Sequence, residues 1–343
     1  MYIAKYPIVC ITLCISGLNG GFALGSGQWQ KGQVSPGQPS ALTEAEVSPQ
    51  GIDPFAQGGK LETAAGSFQG SPLESPNRAE VVMKALATAY PDRISPAVYR
   101  DGDWAVAIQG VFFYYAGGRL LPEELRKQDT DYDPQPFYTY PAELPPWKAP
   151  SPEEADRLRR QMERRNRQSS RRSQRFFDTL WRAHTKEEAY NRVKTIRFLG
   201  RDMLVHYAIM EELALVEERI QREAQTSVQV RQWINELNTI SAWNWRDIAD
   251  TQNRSFHAYG AALDLLPKSQ RGFQTYWLWT SQAYPEWWAV PYEKRLHPPE
   301  AVIKAFEAYG FVWGGKWLFF DTMHFEYRPE ILILSGLSLS DQH

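Results

Sequence analysis

Two short stretches of this sequence carry residue types that can bind a metal ion and activate a water molecule. The first, SFHAYGAALD, contains His257 and Asp264, seven residues apart. The second, DTMHFE, contains His324 three residues after Asp321. Two imidazoles and one carboxylate form a three-ligand set for Zn²⁺ with an open fourth position, as in catalytic rather than structural zinc sites. The remaining carboxylate would accept a proton from the bound water.

Residues next to these stretches favour a site of this kind. Gly260 lets the backbone turn between the histidine and the aspartate of the first stretch. If the second stretch is a strand, Glu326 shares a face with His324 and can orient its imidazole by accepting a hydrogen bond. Arg246 and Arg254 flank the first stretch, so both are candidates to hold a substrate carboxylate or a developing oxyanion.

The other histidines do not form such a set. Only His257 and His324 combine a carboxylate at metal-site spacing with aromatic or glycine neighbours, and His184, His297 and His343 lack this combination. His206 falls in the apolar stripe of a predicted helix, where a hydrogen-bonded core histidine is expected. Two histidines with nearby acids can also arise as a structural coincidence, so composition alone leaves the site open.

The N-terminal residues have the pattern of a secretory signal peptide. Lys5 precedes an apolar run over residues 7–15, and small residues follow up to a plausible cleavage point after Ala23. We therefore predict export to the periplasm or cell envelope, with a membrane tether as the alternative if residues 1–23 are not removed. Both cysteines of the chain lie in this segment, so the mature protein would contain no disulfide and no cysteine metal site.

The rest of the first half divides by composition. Residues 24–77 are rich in Gly, Ser, Gln and Pro and predict a disordered linker. Residues 78–150 predict a small α/β region of unknown role, with a helix over 78–90 and a strand pair that ends at the Gly117-Gly118 turn. The net charge of −2 gives no argument for a nucleic-acid partner.

Residues 151–193 predict an Arg-rich helical connector. Ser151 and Glu154 have the spacing of a capping box, and Pro152 takes the first helical position. The arginine run is either a solvated helix face or a binding surface for an anionic envelope polymer, and the sequence leaves both open.

Residues 194–335 predict an α+β domain with an antiparallel sheet and flanking helices, because helical spacing gives way to short strands with irregular connections. The predicted helices cover 202–223, 228–237 and the segment from Pro298 to Gly310, and the predicted strands cover 241–249, 261–267, 311–320 and 324–329. A Trp-rich insertion occupies residues 273–288.

The two chemistry-bearing stretches resemble the signature of the D-alanyl-D-alanine metallopeptidases. SFHAYGAALD fits their S-x-H-x-x-G-x-A-x-D pattern, and WGGKW followed by DTMHFE is similar to their second block, especially in the endolysin and cell-wall endopeptidase branch. This family comprises zinc D-alanyl-D-alanine carboxypeptidases, dipeptidases of vancomycin resistance and L-alanyl-D-glutamate endopeptidases. The resemblance covers about residues 194–329, and the Trp-rich insertion is not part of the family's pattern.

The resemblance implies a fold and a role for each residue. It implies the fold shared by these peptidases and the hedgehog signalling domain, with residues 194–335 as a zinc peptidase domain. The implied zinc ligands are His257, Asp264 and His324, and the implied catalytic base is Asp321. Ser255 would buttress the site, and Arg246 would bind substrate.

The function expected from these observations is an exported, zinc-dependent peptidase that hydrolyses peptidoglycan stem peptides. It would resemble either a D-alanyl-D-alanine carboxypeptidase or an L-alanyl-D-glutamate endopeptidase, and the sequence does not choose between the two bonds. The first alternative is a non-catalytic wall-binding module that keeps the fold and the zinc. The second is a domain in which zinc is only structural.

Overall fold

The computed structural model describes residues 77–167, 170–248 and 251–340, without the side chains of 164–167. The predicted signal peptide lies outside the described residues, and so does the predicted linker apart from Asn77. Among the helices that are described, none is both long enough and apolar enough to cross a bilayer.

The first region is a helix packed on a four-stranded antiparallel sheet. Its elements are α1 (Arg78–Ala89), β1 (Val98–Arg100), β2 (Asp103–Ile108), β3 (Val111–Tyr114) and β4 (Leu121–Pro122). The strands lie in the order β1-β2-β3-β4, each antiparallel to its neighbour. The predicted helix is confirmed, and the predicted strand pair corresponds to the two central strands of a larger sheet.

The Arg-rich helix is capped as its sequence predicts. In α2 (Pro152–Arg167), the Ser151 hydroxyl accepts from the Glu154 backbone N–H at 3.2 Å, and the Glu154 carboxylate accepts from the Ser151 N–H at 2.8 Å. Two short helices follow, α3 (Arg175–Leu180) and α4 (Lys186–Tyr190). An anionic polymer as a partner of α2 stays a prediction.

A β-hairpin replaces the start of the helix that we predicted over 202–223. It consists of β5 (Val193–Phe198) and β6 (Arg201–His206), and the helices α5 (Met210–Thr226) and α6 (Val228–Glu236) come after it. The prediction was wrong at its beginning, because Met203 and Val205 alternate with exposed or half-exposed residues and bury on the face of a strand. The prediction for 228–237 is confirmed.

The second sheet carries the predicted site. The remaining elements are β7 (Leu237–Ser241), α7 (Phe256–Tyr259), β8 (Ala262–Pro267), α8 (Trp277–Ala283), α9 (Glu300–Ala308), β9 (Phe311–Trp313), β10 (His324–Tyr327) and α10 (Pro329–Leu334). The sheet order is β7-β8-β10-β9, with all neighbours antiparallel. Antiparallel sheets combined with helices confirm the α+β prediction.

Two predicted strands have different bounds in the structure. The strand predicted over 241–249 is wrong for the described residues after Ser241, where β7 ends. The N–H groups that follow bond elsewhere: Trp243 donates to Leu204 and Asn244 to His257. The strand predicted over 311–320 ends at Trp313, where a 3₁₀ turn begins. The first break lies beside His257, because Asn244 donates to its carbonyl oxygen, and the second lies beside Asp321, whose N–H donates to Gly314.

One continuous hydrophobic core joins the first region to the second sheet. Met83 of α1, Phe113 of β3, Trp181, Tyr259 and Phe325 all belong to it. It therefore crosses the predicted boundaries at residues 150 and 193.

A second apolar cluster forms around the Trp-rich insertion. Trp277, Trp287 and Phe319 are its centre, and Leu158 of α2 packs into it. The Arg-rich helix therefore packs against this cluster through Leu158.

Substitution of Gly260 by Ala is expected to destabilise the protein by about 3 kcal/mol. Gly260 has φ +69°, and an added Cβ would lie 2.7 Å from the His206 backbone nitrogen and 2.9 Å from Val193. Gly200 is a matched control, since its φ is +78° but nothing lies within 4 Å. Gly200→Ala is expected to cost about 1 kcal/mol. Urea denaturation of both variants measures the difference, and equal losses would contradict the packing argument.

Candidate metal centre

The register of two neighbouring strands brings two of the predicted ligands together. In the pairing of β8 with β10, His324 lies directly opposite Asp264. Directly paired residues of an antiparallel sheet project to the same face, with Cβ atoms about 4.5–5.5 Å apart. The sixty residues that separate these two side chains in sequence therefore do not separate them in space.

A single helical turn, α7, supplies His257. The Ser255 hydroxyl caps this turn by accepting from the His257 backbone N–H at 3.3 Å, and Gly260 ends it in the left-handed conformation. The chain then enters β8, which carries Asp264. Since the turn is tied at both ends, His257 is held over the strand, and only 1% of its surface is exposed.

The donor atoms of the three side chains converge. His257 Nε2 lies 3.2 Å from His324 Nδ1 and 3.2 Å from Asp264 Oδ2, and His324 Nδ1 lies 2.9 Å from Asp264 Oδ1. A tetrahedral zinc site with bonds of about 2.0–2.1 Å has ligand–ligand separations of about 3.3 Å. All three side chains are buried. Two imidazole nitrogens and a carboxylate oxygen at these separations fit Zn²⁺.

Each imidazole is also held by its second nitrogen. His257 Nδ1 lies 2.5 Å from the carbonyl oxygen of Ala242, which can only accept, so Nδ1 carries a proton and Nε2 is the nitrogen that faces the other ligands. His324 Nε2 lies 3.3 Å from Glu326 Oε2, which leaves Nδ1 on the ligand side. Acceptors of this kind fix the tautomer and ring orientation that a metal site requires.

A buried chain of charges continues from Glu326 into the first region of the fold. Arg328 Nη1 donates to Glu326 at 3.1 Å, and its Nε donates to Glu330. The other oxygen of Glu330 accepts from the Tyr90 hydroxyl at 2.8 Å. Tyr90 follows α1, so the predicted region of unknown role contacts the site through hydrogen bonds. Our sequence reasoning missed Tyr90, Arg328 and Glu330, and the alternation of charges in Glu-Tyr-Arg-Pro-Glu was the available signal.

Opposite charges around His324 fix the protonation of the ligand set. Burial raises the pKa of the Asp264 carboxyl, but the charges and hydrogen bonds of His257 and His324 outweigh it and hold the pKa well below its usual range. Burial lowers the pKa of His324, but Asp264 and Glu326 outweigh it and raise the pKa to about 10. A cation bound to His324 Nδ1 would take the place of this proton.

Asp321 lies in the turn that precedes β10. Its backbone carbonyl accepts from the His324 N–H at 3.3 Å, and its carboxylate accepts from the Met323 N–H at 3.3 Å. Gly314 allows the close approach of this turn, because a Cβ there would lie 2.5 Å from the Asp321 carbonyl oxygen. Burial, and then the negative charge of Asp264, raise the pKa of Asp321 to about 7. A carboxyl with such a pKa can exchange protons near neutral pH.

The two predicted substrate arginines have different surroundings. Burial lowers the pKa of Arg246, while the charges of Asp264 and Asp321 oppose this shift, which places its guanidinium in the field of the site. Arg254 Nη1 donates to Asp178 at 2.9 Å, and its guanidinium lies 4.1 Å from the centre of the Trp245 ring. Arg254 therefore ties α3 to the site, and a role in substrate binding stays a prediction.

A cleft reaches the candidate site. Asp321, His324 and Glu326 lie in its lining, together with residues from two segments that precede the second sheet, 135–138 and 172–177. Trp317 Nε1 donates to the Tyr138 hydroxyl at 2.9 Å and joins the two sides. The entrance is therefore built jointly by the two halves of the described chain.

Comparison with known proteins identifies two similar families. Residues 249–327 match a family described as D-alanyl-D-alanine carboxypeptidase, and residues 82–137 match a domain of unknown function, DUF8518. Neither curated proteins nor solved structures give a match. The first match covers less than a quarter of the 343-residue chain and includes His257, Asp264, Asp321 and His324. The similarity to a peptidase family is therefore local to the segment that carries the site.

The proton on His324 can be observed directly after metal has been removed with a chelator. We expect its imidazole resonance to titrate near pH 10, well above the ordinary 6.5, because two carboxylates face its two nitrogens. The raised pKa contributes stability that is fully present below pH 6.5 and is lost as pH rises through about 10. Proton NMR measures the midpoint, and a value near 6.5 would contradict the arrangement.

Glu326→Gln is expected to weaken zinc affinity by about 10- to 100-fold, because the imidazole of His324 loses a charged acceptor. Competition with a chelating dye measures the dissociation constant. Glu307→Gln is the matched control, since Glu307 is also a buried acid, but it pairs with Lys316 and Tyr140 instead of a candidate ligand. Equal effects of the two substitutions would assign the loss to general destabilisation.

Proposed function

We propose that this protein is a zinc-dependent peptidase that hydrolyses peptidoglycan stem peptides, with a peptidase domain of the hedgehog/DD-peptidase type. The observation that carries the proposal is the buried set of His257, Asp264 and His324, whose donor atoms converge with each imidazole anchored by its second nitrogen. This set lies within the segment that matches the carboxypeptidase family.

Zinc held by these three side chains would act as a Lewis acid on the scissile carbonyl and lower the pKa of the attacking water. Asp321 is the proposed general base. It takes a proton from that water and returns it to the leaving amine. The pKa of Asp321, about 7 from burial and the charge of Asp264, falls when a cation is nearby, because positive charge favours the carboxylate. With a cation bound, the base would be ionised at neutral pH.

Arg246 is the proposed partner of negative charge on the substrate. Its side chain is half-buried, and the negative charges of Asp264 and Asp321 act on its guanidinium. A partly desolvated guanidinium interacts with an oxyanion or carboxylate more strongly than an exposed one does. Ser255 acts indirectly, since its hydroxyl caps the turn that presents His257.

Export to the periplasm or cell envelope is part of the same proposal. It rests on the basic, apolar and small-residue pattern of residues 1–23. Peptidoglycan stem peptides lie outside the cytoplasmic membrane, so an enzyme that acts on the mature wall has to reach that compartment.

Asp321→Asn is expected to retain zinc and to lose about 10²- to 10⁴-fold in turnover, because asparagine keeps the shape of the side chain but cannot accept the proton. His324→Ala is expected to lose both zinc and turnover, because it removes a ligand. Metal analysis of the purified proteins and mass spectrometry of digested muropeptides measure the two properties on the same samples.

The same digest separates the peptidase from its main alternative. Loss of a terminal alanine would identify a D-alanyl-D-alanine carboxypeptidase, and release of the peptide after its first alanine would identify an L-alanyl-D-glutamate endopeptidase. If muropeptides bind without any cleavage, the protein is a non-catalytic wall-binding module. A fully active Asp321→Asn protein would instead remove Asp321 from the mechanism.

A further inference from the structure

One side of the cleft comes from residues outside the carboxypeptidase match. Gln135, Tyr138 and Ser173 line it, whereas Asn253 and Arg328 line it from the second half of the chain. The backbone of this side is fixed, because the Gln135 side-chain amide donates to the carbonyl oxygen of Ser173 at 2.7 Å. The first region therefore forms part of the surface that a bound substrate would meet.

Three buried polar atoms in this lining have no hydrogen-bond partner among the described residues. They are Ser173 Oγ, Asn253 Nδ2 and Arg328 Nη2. The three residues are 2%, 3% and 2% exposed. Leaving a buried donor unsatisfied costs about 1–3 kcal/mol, so three in one cleft indicate a ligand that pairs with them.

The orientation of the Asn253 amide is fixed by chemistry. Its Oδ1 accepts from the Arg172 backbone N–H at 2.7 Å, and a backbone N–H can only donate. The oxygen of the amide is therefore used, and both hydrogens of Nδ2 remain for the cleft. The backbone of Asn253 is held as well, because its carbonyl oxygen accepts from the Ile248 N–H at 2.7 Å.

Arg328 is anchored in a similar way. Its Nη1 and Nε are bound to Glu326 and Glu330, and its guanidinium lies 4.9 Å from the centre of the Phe256 ring and 5.4 Å from that of Phe177. Nη2 is the nitrogen left over. Two of the three unpartnered atoms can thus only donate, and the third, a hydroxyl, can donate as well.

We infer that Ser173, Asn253 and Arg328 form a subsite that binds a carboxylate group of the substrate, separate from the bond that is cleaved. A carboxylate accepts several hydrogen bonds on two oxygens and matches several donors in the lining of one cleft better than a single carbonyl does. This inference rests on the proposed peptidase function and extends it. It assigns part of the substrate selection to a segment that the peptidase family match does not include.

The test uses a synthetic stem pentapeptide that ends in D-alanyl-D-alanine and has two free carboxylates, one on its second residue and one at its C-terminus. Two analogues carry an amide at one or the other position, and a third carries both amides. Each is titrated by calorimetry into the zinc-supplemented, full-length Asp321→Asn protein, so that binding is measured without turnover. The analogue that loses affinity identifies which carboxylate is bound.

Asn253→Asp, added to that protein, is the diagnostic substitution. It keeps the acceptor for the Arg172 N–H but replaces the donor with a negatively charged oxygen. We expect affinity for the free pentapeptide to fall at least about tenfold, and affinity for the doubly amidated peptide to change little. Asn191→Asp is the control, since Asn191 is exposed and does not line the cleft. Ser173→Ala, which removes one donor without adding charge, is expected to cost about threefold or more.

Two results would overturn the subsite. One is unchanged affinity of both cleft variants for the free pentapeptide, and the other is an equal loss for all four peptides. Turnover by the unsubstituted protein distinguishes this failure from failure of the proposed function. Cleavage of free and amidated peptides with equal KM would reject the subsite and keep the peptidase, whereas carboxylate-dependent binding without cleavage would keep the subsite and reject the peptidase.

Discussion

The pairing of β8 with β10 is the constraint on which the site depends. It sets Asp264 opposite His324, and every further contact of the metal centre is arranged around that pair. A slip of one residue would turn one of the two side chains to the other face of the sheet, because successive residues of a strand alternate. The hydrophobic neighbours Leu263 and Phe325 prevent the slip, since both are fully buried on the opposite face.

Because the charged groups of this centre are buried, each of them needs a partner of opposite charge or a hydrogen bond. A carboxylate between two imidazoles in a water-excluded site needs all of its partners, because an unpaired charge there is costly. The chain from Glu326 through Arg328 and Glu330 to Tyr90 supplies such partners over a long sequence distance. The first region of the fold therefore shares both a hydrophobic core and a buried polar network with the sheet that carries the site.

The extra segments of this chain act on the surroundings of the site more than on the ligands. The segments 135–138 and 172–177 build part of the cleft, and the Trp-rich insertion packs against the Arg-rich helix. The match to a carboxypeptidase family covers residues 249–327 and includes neither of these two cleft-lining segments. In such an arrangement the residues proposed for the chemistry lie within the matched segment. The selection of substrate can also depend on the cleft-lining segments that precede it in sequence.

The sequence by itself predicted the ligand types, their order, the capping box of α2 and the α+β class, because these follow from local spacing and side-chain chemistry. It did not determine β6, where a helical and a strand pattern overlapped, nor the end of β7, whose next N–H groups bond to distant residues. Only the tertiary structure joined Tyr90 to Glu330 and the Asn253 side chain to the backbone of Arg172. Their roles depend on buried contacts between residues far apart in sequence, and no local pattern encodes such contacts.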